Sequence, residues 1–500
     1  MKFLPEINQT KKNLFFFCFI LFVALHSFLP ENLWCTPRVK ELKEEIDAIV
    51  YKYRPSGAHV GISIYSISRD KTLYALNSHK LFVVASNMKL FTTATALVYL
   101  GSDFVYETKI FSRGPLTSEG KLQGDIIIQG SGDPNISGRF YQGKITAVPT
   151  IWAKRVEEHG IKVIAGDIIA DDSIFDRKFI CDSWPKDQLS EWYCAPVSGL
   201  SFNDNCIDIV VKPNNGSGNL ASVQIEPITS YIKIFNTCRT TSLVSEHLYS
   251  LYRKPFTNSI YIKGKIWSKS VPQKAWITIH DPALYTATVF KEILEDRNIR
   301  VLGDTRLVNS SDKNTKTELQ KIAVTLSTLR QSVEVANKRS QGFYAEQILK
   351  TLGAHIKKEG SFSAGLDVIR DFLASFGFSD AEYQIHDGSG LSKKNRLTTV
   401  LVTTLLTFMY KHEYGDIFSQ SLSVAGIDGT LKRRMNREPY RSRIRAKTGY
   451  VLGTCTLSGY VETLKGEIIT FSILVNGIKG SIQKAKLLQD AICMFLVENN

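Results

Sequence analysis

Three kinds of hydrophobic pattern alternate along the chain. Over 38–53 apolar positions recur at helical spacing with charged residues between them, which predicts an amphipathic helix. HVGISIYSIS (59–68) and TLYALN (72–77) then alternate in and out around Arg69-Asp70-Lys71, the pattern of two paired strands. The next stretch differs from both. From Ala85-Ser86-Asn87-Met88-Lys89-Leu90 through FTTATALVYLG to Gly101, apolar residues at helical spacing cover all sides, which predicts a buried helix. Strands leading into that helix predict an α/β unit with Ser86 at the sheet-to-helix junction.

A second region begins near Ser102. DIIIQGSGDPNIS (125–137) reads as a buried strand entering a Gly/Asp/Pro turn, and GIKVIAGDIIADDSIFD (160–176) as strand, turn and strand after a helix around 151–158. EWYCAPVSGLSFNDNCIDIVVKPNNGSGN (191–219) ends in a strand and a flexible tip. SVQIEPI, SIYIKGKIW and KAWITIH make 220–290 a small β-rich insert, after which a helix over 283–296 and IRVLGDTRLV (299–308) rejoin the second region. From Leu319 the pattern returns to helix-rich α/β, with helices over 325–338, 344–358, 362–376 and 398–411. Strands CTLSGYVETL (455–464) and EIITFSILVNG (467–477) meet at Lys465-Gly466, and a last helix covers 482–497. The expected division is a leader over 1–36, a first domain from 37–101 and 320–500, a second from 102–219 and 291–319, and a third from 220–290.

Composition changes this picture little. Five hundred residues, 43% hydrophobic and 22% charged, suit a globular chain of several domains. The net charge of +14 comes from lysines and arginines scattered along the sequence, which counts against a nucleic-acid binder and favours a basic protein among anionic envelope polymers. The N-terminus narrows the location. Lys11-Lys12 precede an apolar run over 14–25, the layout of a secretory leader and too short for a spanning helix of about 20 residues. No clean small-residue cleavage site follows, so cleavage within 27–37 and retention as an anchor both stay open, and Cys35 lacks the small residues that precede a lipid-attachment cysteine. Export to the periplasm or the outer face of the cytoplasmic membrane is expected, with peripheral membrane association left open. Cys181, Cys194, Cys206, Cys238, Cys455 and Cys493 show no C-x-x-C spacing, and the histidines form no H-E-x-x-H cluster, so no metal is implied. Disulfides would be permitted, most readily within 181–238, in no particular connectivity.

Ser86 and Lys89 stand one helical turn apart, close enough to touch. A serine hydroxyl becomes a nucleophile when a base takes its proton, and a lysine serves as that base when burial and nearby positive charge hold it neutral. The free N–H groups at a helix start favour a developing oxyanion. Ser-x-x-Lys also occurs at Ser68, Ser118, Ser183, Ser230, Ser310 and Ser481, so the spacing alone is weak. Two later segments give it weight. His386-Asp-Gly-Ser-Gly-Leu-Ser-Lys-Lys-Asn-Arg396 is a polar, turn-rich loop between helices, and Arg445-Ala-Lys447-Thr448-Gly449 precedes the terminal strands, where its lysine would lie on an edge strand beside a cleft. Ser-x-x-Lys, a Ser/Asn loop and Lys-Thr-Gly in that order form the arrangement of penicillin-recognising serine acyltransferases.

With those motifs the chain from about residue 40 onward resembles the D-alanyl-D-alanine carboxypeptidase/endopeptidase family of low-molecular-mass penicillin-binding proteins that carry a large insert between the first two motifs. GSGDPN (130–135), APVSGLSFNDN (195–205), NKRSQGFYAEQIL (337–349), DGSGLS (387–392) and AGIDGTLKRRM (425–435) carry the same resemblance. It implies an α/β penicillin-binding, β-lactamase-like transpeptidase domain with two inserted β-rich domains. It also implies Ser86 as the acylated nucleophile, Lys89 as its base and Ser392 as the proton relay to leaving D-alanine, with Asn395 as the loop's amide. Lys447 would face the substrate carboxylate and help hold Lys89 neutral, Thr448 would add a hydrogen bond ahead of Gly449, and the backbone N–H groups of Ser86 and Tyr450 would form the oxyanion hole, worth about 2.7–4 kcal/mol per donor. Asp187, between Trp184 and Tyr193, stands where some relatives bind the amino end of the stem peptide. Two departures are visible: Asn395 is one residue beyond Ser-x-Asn spacing, and Tyr450 replaces the Ser or Thr usual after Lys-Thr-Gly.

The function expected is an exported serine DD-peptidase acting on peptidoglycan stem peptides, acylated by β-lactam antibiotics and needing no cofactor. Preference for terminal D-alanine or cross-links, and oligomeric state, stay open. A β-lactamase or esterase of the same fold would turn penicillin over rapidly, and a non-catalytic wall-binding protein would leave a D-Ala-D-Ala peptide intact.

Overall fold

The structure, a computed structural model, describes residues 37–313 and 318–499, so the leader and Cys35 lie outside the described residues. The chain forms two compact units. One contains the chain up to Val98 with Asn337–Ser340 and Leu366–Asn500, and the other contains Tyr99–Ala336 and Gln341–Gly365.

The first unit is built on a six-stranded antiparallel sheet in the order Lys71–Leu76, His59–Ser66, Ile468–Asn476, Thr454–Glu462, Ile444–Val451 and Ser423–Val424. Its two faces are chemically distinct because successive side chains alternate across a strand. Ile62, Ile64, Leu457, Ile469, Phe471 and Ile473 join one apolar core with Ile46 and Val50 of the helix Pro37–Tyr53 and Leu488 and Ile492 of the helix Gln483–Glu498. The opposite face carries small hydroxyl residues that are also buried. Ser63 bonds Thr403 on the helix Thr399–Lys411 at 2.9 Å, and Thr456 and Ser458 reach Asn87 at 2.8 and 2.5 Å. The buried helix expected after Ser86 is present as Met88–Leu100, with Ser86 itself on the preceding 3-10 turn Ala85–Asn87.

A small sheet of Phe82–Val83, Arg396–Leu397 and Tyr383–Gln384 ties the polar loop of the sequence to the strand entering that turn. Here two glycines are required. A Cβ on Gly390, whose φ is +79°, would fall 1.8 Å from the Ala85 carbonyl oxygen, and one on Gly449 would fall 2.9 Å from the Ser86 nitrogen. Loop and strand therefore press their bare backbones against the residues that present Ser86.

The second unit contains a five-stranded sheet in the order Thr305–Leu307, Ile168–Asp171, Asp125–Gln129, Val105–Arg113 and Leu319–Thr328, with smaller three- and four-stranded sheets. Two expectations are corrected here. The helix placed over 325–338 begins only at Leu329, because the alternating run LQKIAVTLST is a strand paired along its length with Val105–Arg113. That pairing takes 320–336 out of the first unit, and 341–365 follows it. The insert at 220–290 does not form a third body: Ile232, Ile260, Ile262 and Ile266 share one core with Ile126, Trp152 and Ile168. Four of the cysteines, Cys206, Cys238, Cys455 and Cys493, are buried free thiols whose pKa burial raises, so they are poor nucleophiles.

Inside this second core lies a carboxyl group from the GSGDPN segment. Asp133 is 2% exposed, accepts bonds from Ser327 Oγ and the Asn135 N–H at 2.6 and 2.8 Å, and leaves Oδ2 without a partner. Burial outweighs these bonds and raises its pKa to about 6.

Two outcomes follow from these packings. Gly390→Ala should lose about 1–2 kcal/mol of stability from the left-handed backbone alone, and more from the contact with Ala85, in chemical denaturation. Since the folded Asp133 pKa lies above the unfolded value, the wild type binds an extra proton between about pH 4 and 6 and loses stability as pH rises through that window. Asp133→Asn carries no such charge, so its unfolding temperature should gain on the wild type from pH 4 to pH 7. A gap independent of pH would refute the assignment.

Candidate active site

The site is assembled within the first unit around the turn Ala85–Asn87. Ala85 has a φ of +47°, a left-handed conformation that a residue with a side chain adopts only under constraint. The constraint is visible in its neighbours. Asn87, fully buried, donates to Ser458 Oγ and accepts from Thr456 Oγ1, whose single proton is shared with the Val84 carbonyl at 3.1 Å. Asn476 holds both backbone groups of Val83, at 2.7 and 3.0 Å. The turn is thus fastened to the sheet on either side of Ser86.

Lys89, one turn into the helix and 2% exposed, directs Nζ to Ser86 Oγ at 3.1 Å and to the Ser389 carbonyl at 2.6 Å. The carbonyl belongs to the polar loop, which is organised by a buried carboxylate. Asp387 accepts bonds from the backbone N–H groups of Gly390 and Ser392, both at 2.7 Å, and from Asn395 Nδ2 at 2.6 Å. Asn395 Oδ1 in turn accepts from the His386 N–H at 2.6 Å. Asn395 is therefore a brace inside the loop, and its longer spacing from Ser392 is what lets it reach back to Asp387.

Lys447 lies on the strand Ile444–Val451 and is completely buried. Its Nζ donates to Ser340 Oγ at 2.7 Å and to the Thr448 carbonyl at 2.8 Å. Burial, and after it the positive charge of Lys89, push its pKa well below the ordinary lysine value. Ser340 sits at a φ of +58° in a segment pinned by Asn337, which bonds Thr93 Oγ1 at 3.1 Å and Ser421 Oγ at 2.8 Å. The next residue of the segment, Lys338, pairs with Asp428 at 2.8 Å. Thr448 donates to Thr430 at 2.8 Å, Gly449 lies against the Ser86 nitrogen, and Tyr450 turns its ring outward, 57% exposed.

The structure thus brings Ser86, Lys89, Lys447 and Gly449 together and corrects the hydroxyl expected from the loop. Ser392 is 1% exposed, and its hydroxyl accepts from the Lys394 N–H at 3.3 Å rather than meeting Ser86, Lys89 or Lys447. The loop folds inward onto Asp387 and offers backbone to the site; the hydroxyl beside Lys447 is that of Ser340. Asp187 is exposed on the turn Lys186–Gln188 of the second unit. The trace of Ser340 in the sequence was a polar connector, Asn-Lys-Arg-Ser-Gln, between two helical stretches. Asp387 was visible only as one member of a turn-rich motif. Among the described residues no group of three or more His, Cys, Asp or Glu side chains is placed to hold a metal ion.

A serine held to a lysine, with a second buried lysine and a second serine alongside, is the equipment of an acyl-transfer site, and comparison with known proteins agrees. The D-alanyl-D-alanine carboxypeptidase of Actinomadura sp. is 30% identical over 92% of this chain and 85% of its own. The penicillin-sensitive carboxypeptidase A of Dictyostelium discoideum is 27% identical over 83% and 82%. Among solved structures, penicillin binding protein 4 of Haemophilus influenzae superposes with a TM-score of 0.79 at 22% identity, covering 91% of this chain and 99% of that one. A complex of the same Haemophilus protein with a β-lactam gives a TM-score of 0.72. The sequence profile of the D-Ala-D-Ala carboxypeptidase 3 (S13) peptidases matches residues 42–498, and the chain belongs to that family of serine-type carboxypeptidases.

Proposed function

We propose that the chain removes the terminal D-alanine of peptidoglycan stem peptides through an ester on Ser86, and that β-lactams acylate the same oxygen. The observation that carries this reading is the contact of Lys89 Nζ with Ser86 Oγ at 3.1 Å, made beside the second buried lysine. Lys89 takes the hydroxyl proton as Ser86 Oγ attacks the carbonyl carbon of the penultimate D-alanine. The charge that develops on the carbonyl oxygen meets the backbone N–H groups of Ser86 and Tyr450. Ser340, hydrogen-bonded to Lys447, delivers a proton to the departing amine of D-alanine and takes in its place the one that Lys89 holds, so that the amide C–N bond breaks, the ester C–O bond stays and Lys89 is neutral again. Water then attacks the ester carbonyl, neutral Lys89 takes a proton from it and returns that proton to Ser86 Oγ as the ester C–O bond breaks, and Ser86 is restored. Lys447 and Thr448 meet the substrate carboxylate.

Two like charges within one buried site oppose each other, so the pair sheds a proton more readily than an isolated lysine would. The outward ring of Tyr450 leaves its backbone in the strand, which supports its place in the oxyanion site despite the departure in side chain. Export is part of the same proposal and rests on the leader-like segment 11–25, since the substrate lies outside the cytoplasm.

Purified protein should take up fluorescent penicillin on Ser86 and release D-alanine from a D-Ala-D-Ala peptide, and Ser86→Ala should do neither while unfolding at the wild-type temperature. The acylation rate should rise with pH over a window below the ordinary lysine range, as the shared proton leaves. Ser340→Ala should lower kcat by 10²-fold or more, in the range of a lost proton relay, roughly 10²–10⁴. Ser392→Ala, which removes one turn hydrogen bond, should cost about 1 kcal/mol of stability and leave kcat nearly unchanged. Equal loss of kcat in both serine variants would return the relay to the loop.

A further inference from the structure

The chemistry above makes no use of the outer face of the four-stranded sheet in the second unit. Its strands are Lys233–Asn236, Arg239–Thr241, Leu248–Arg253 and Ser259–Trp267, the last pairing with each of the others. Ile260, Ile262 and Ile266 point into the core, so Tyr261, Lys263 and Lys265 point outward. Strand register fixes their neighbours. Tyr261 lies between Phe235 and Tyr252, with ring centroids 4.9 and 5.5 Å apart and nearly parallel planes. Lys263 stands over the Tyr252 and Tyr261 rings. Lys265 lies between Arg239 and Leu248. Lys233, two residues before Phe235, extends the same face.

Charge and apolar surface are both left open to water here. Glu246 pairs with Lys265 at 3.0 Å, whereas among the described residues no acidic side chain forms an ion pair with Lys233, Arg239 or Lys263. Phe235 is 45% exposed and Leu248 81%, and Leu243 and Val244, leading into the Leu248 strand, are 55% and 65% exposed.

We propose that this face docks on a lipid bilayer that carries anionic headgroups. Cations alone would suit any polyanion. Exposed Phe, Leu and Val side chains gain nothing from a hydrated polymer, whereas at a bilayer they pass below the headgroups while lysine and arginine stay at phosphate level. Tyrosine rings favour the boundary between the two. Apolar insertion and charge together supply the two signals that reversible membrane association needs.

The test mixes full-length protein with vesicles of phosphatidylcholine, with and without phosphatidylglycerol, and reads both co-sedimentation and amide hydrogen exchange. Anionic vesicles should protect the amides of 233–267, and the protection should weaken with added salt. Lys233→Gln with Lys263→Gln should reduce binding about 25-fold, about fivefold for each charge. Leu243→Ser with Leu248→Ser should reduce it as well, and Lys465→Gln on the first unit should not. D-alanine release from a soluble peptide should be unchanged in all of them. Since the leader segment can itself enter a bilayer, protection of the sheet is the deciding signal. Sedimentation without that protection overturns the proposal. So does equal protection by soluble polyglutamate that Leu248→Ser leaves intact, which would give the face to an anionic polymer.

Discussion

Two lysine side chains share one buried site, and the rest of the first unit is arranged to make that tolerable. A buried ammonium is costly, and a second one nearby raises the cost further unless hydroxyl and carbonyl oxygens take its protons. Lys89 is answered by Ser86 and the Ser389 carbonyl, and Lys447 by Ser340 and the Thr448 carbonyl. All four of these oxygens are neutral. Hydroxyl partners of this kind allow each lysine to exchange a proton with a serine.

This arrangement demands close approach of three chain segments, which explains several features that look unrelated. Gly390 and Gly449 lack side chains where loop and strand meet the turn, Ala85 holds a left-handed backbone, and Asn87, Thr456 and Asn476 hold the turn from beneath. The hydroxyl-rich face of the sheet belongs to the same logic. Thr456, Ser458 and Ser472 form a buried polar layer under the nucleophile, whereas the other face is mostly apolar and serves to anchor the terminal helices. Stability comes mainly from one face and positioning from the other.

The second unit shows how register creates a surface that no segment contains. Its cations and aromatics are spread over four strands, yet pairing brings Phe235, Tyr261 and Tyr252 into one row and Arg239, Lys265 and Leu248 into another. The same register explains why 220–290 is no separate body, since the inward isoleucines of those strands complete the core begun at Ile126 and Trp152.

Local pattern by itself determined the helix after Ser86, the two terminal strands and the helix behind them, because periodicity and burial over ten or more residues leave few alternatives. It also marked Ser86 and Lys89 as a pair one helical turn apart, whereas Lys447 was joined to them only by the order of the motifs and the family resemblance, and the fold is what brings it near. Tertiary structure decided the rest. The last four residues of LQKIAVTLST, from Thr325, read as a helix start until Val105–Arg113 is beside them, and so the unit boundary moved. The loop and the connector each offered a serine, and a hydroxyl's role depends on where the chain points it. Asp387 draws Ser392 inward within one turn-rich loop, while Asn337 and a positive φ turn Ser340 toward Lys447 through contacts between residues too far apart in sequence for any local pattern to record.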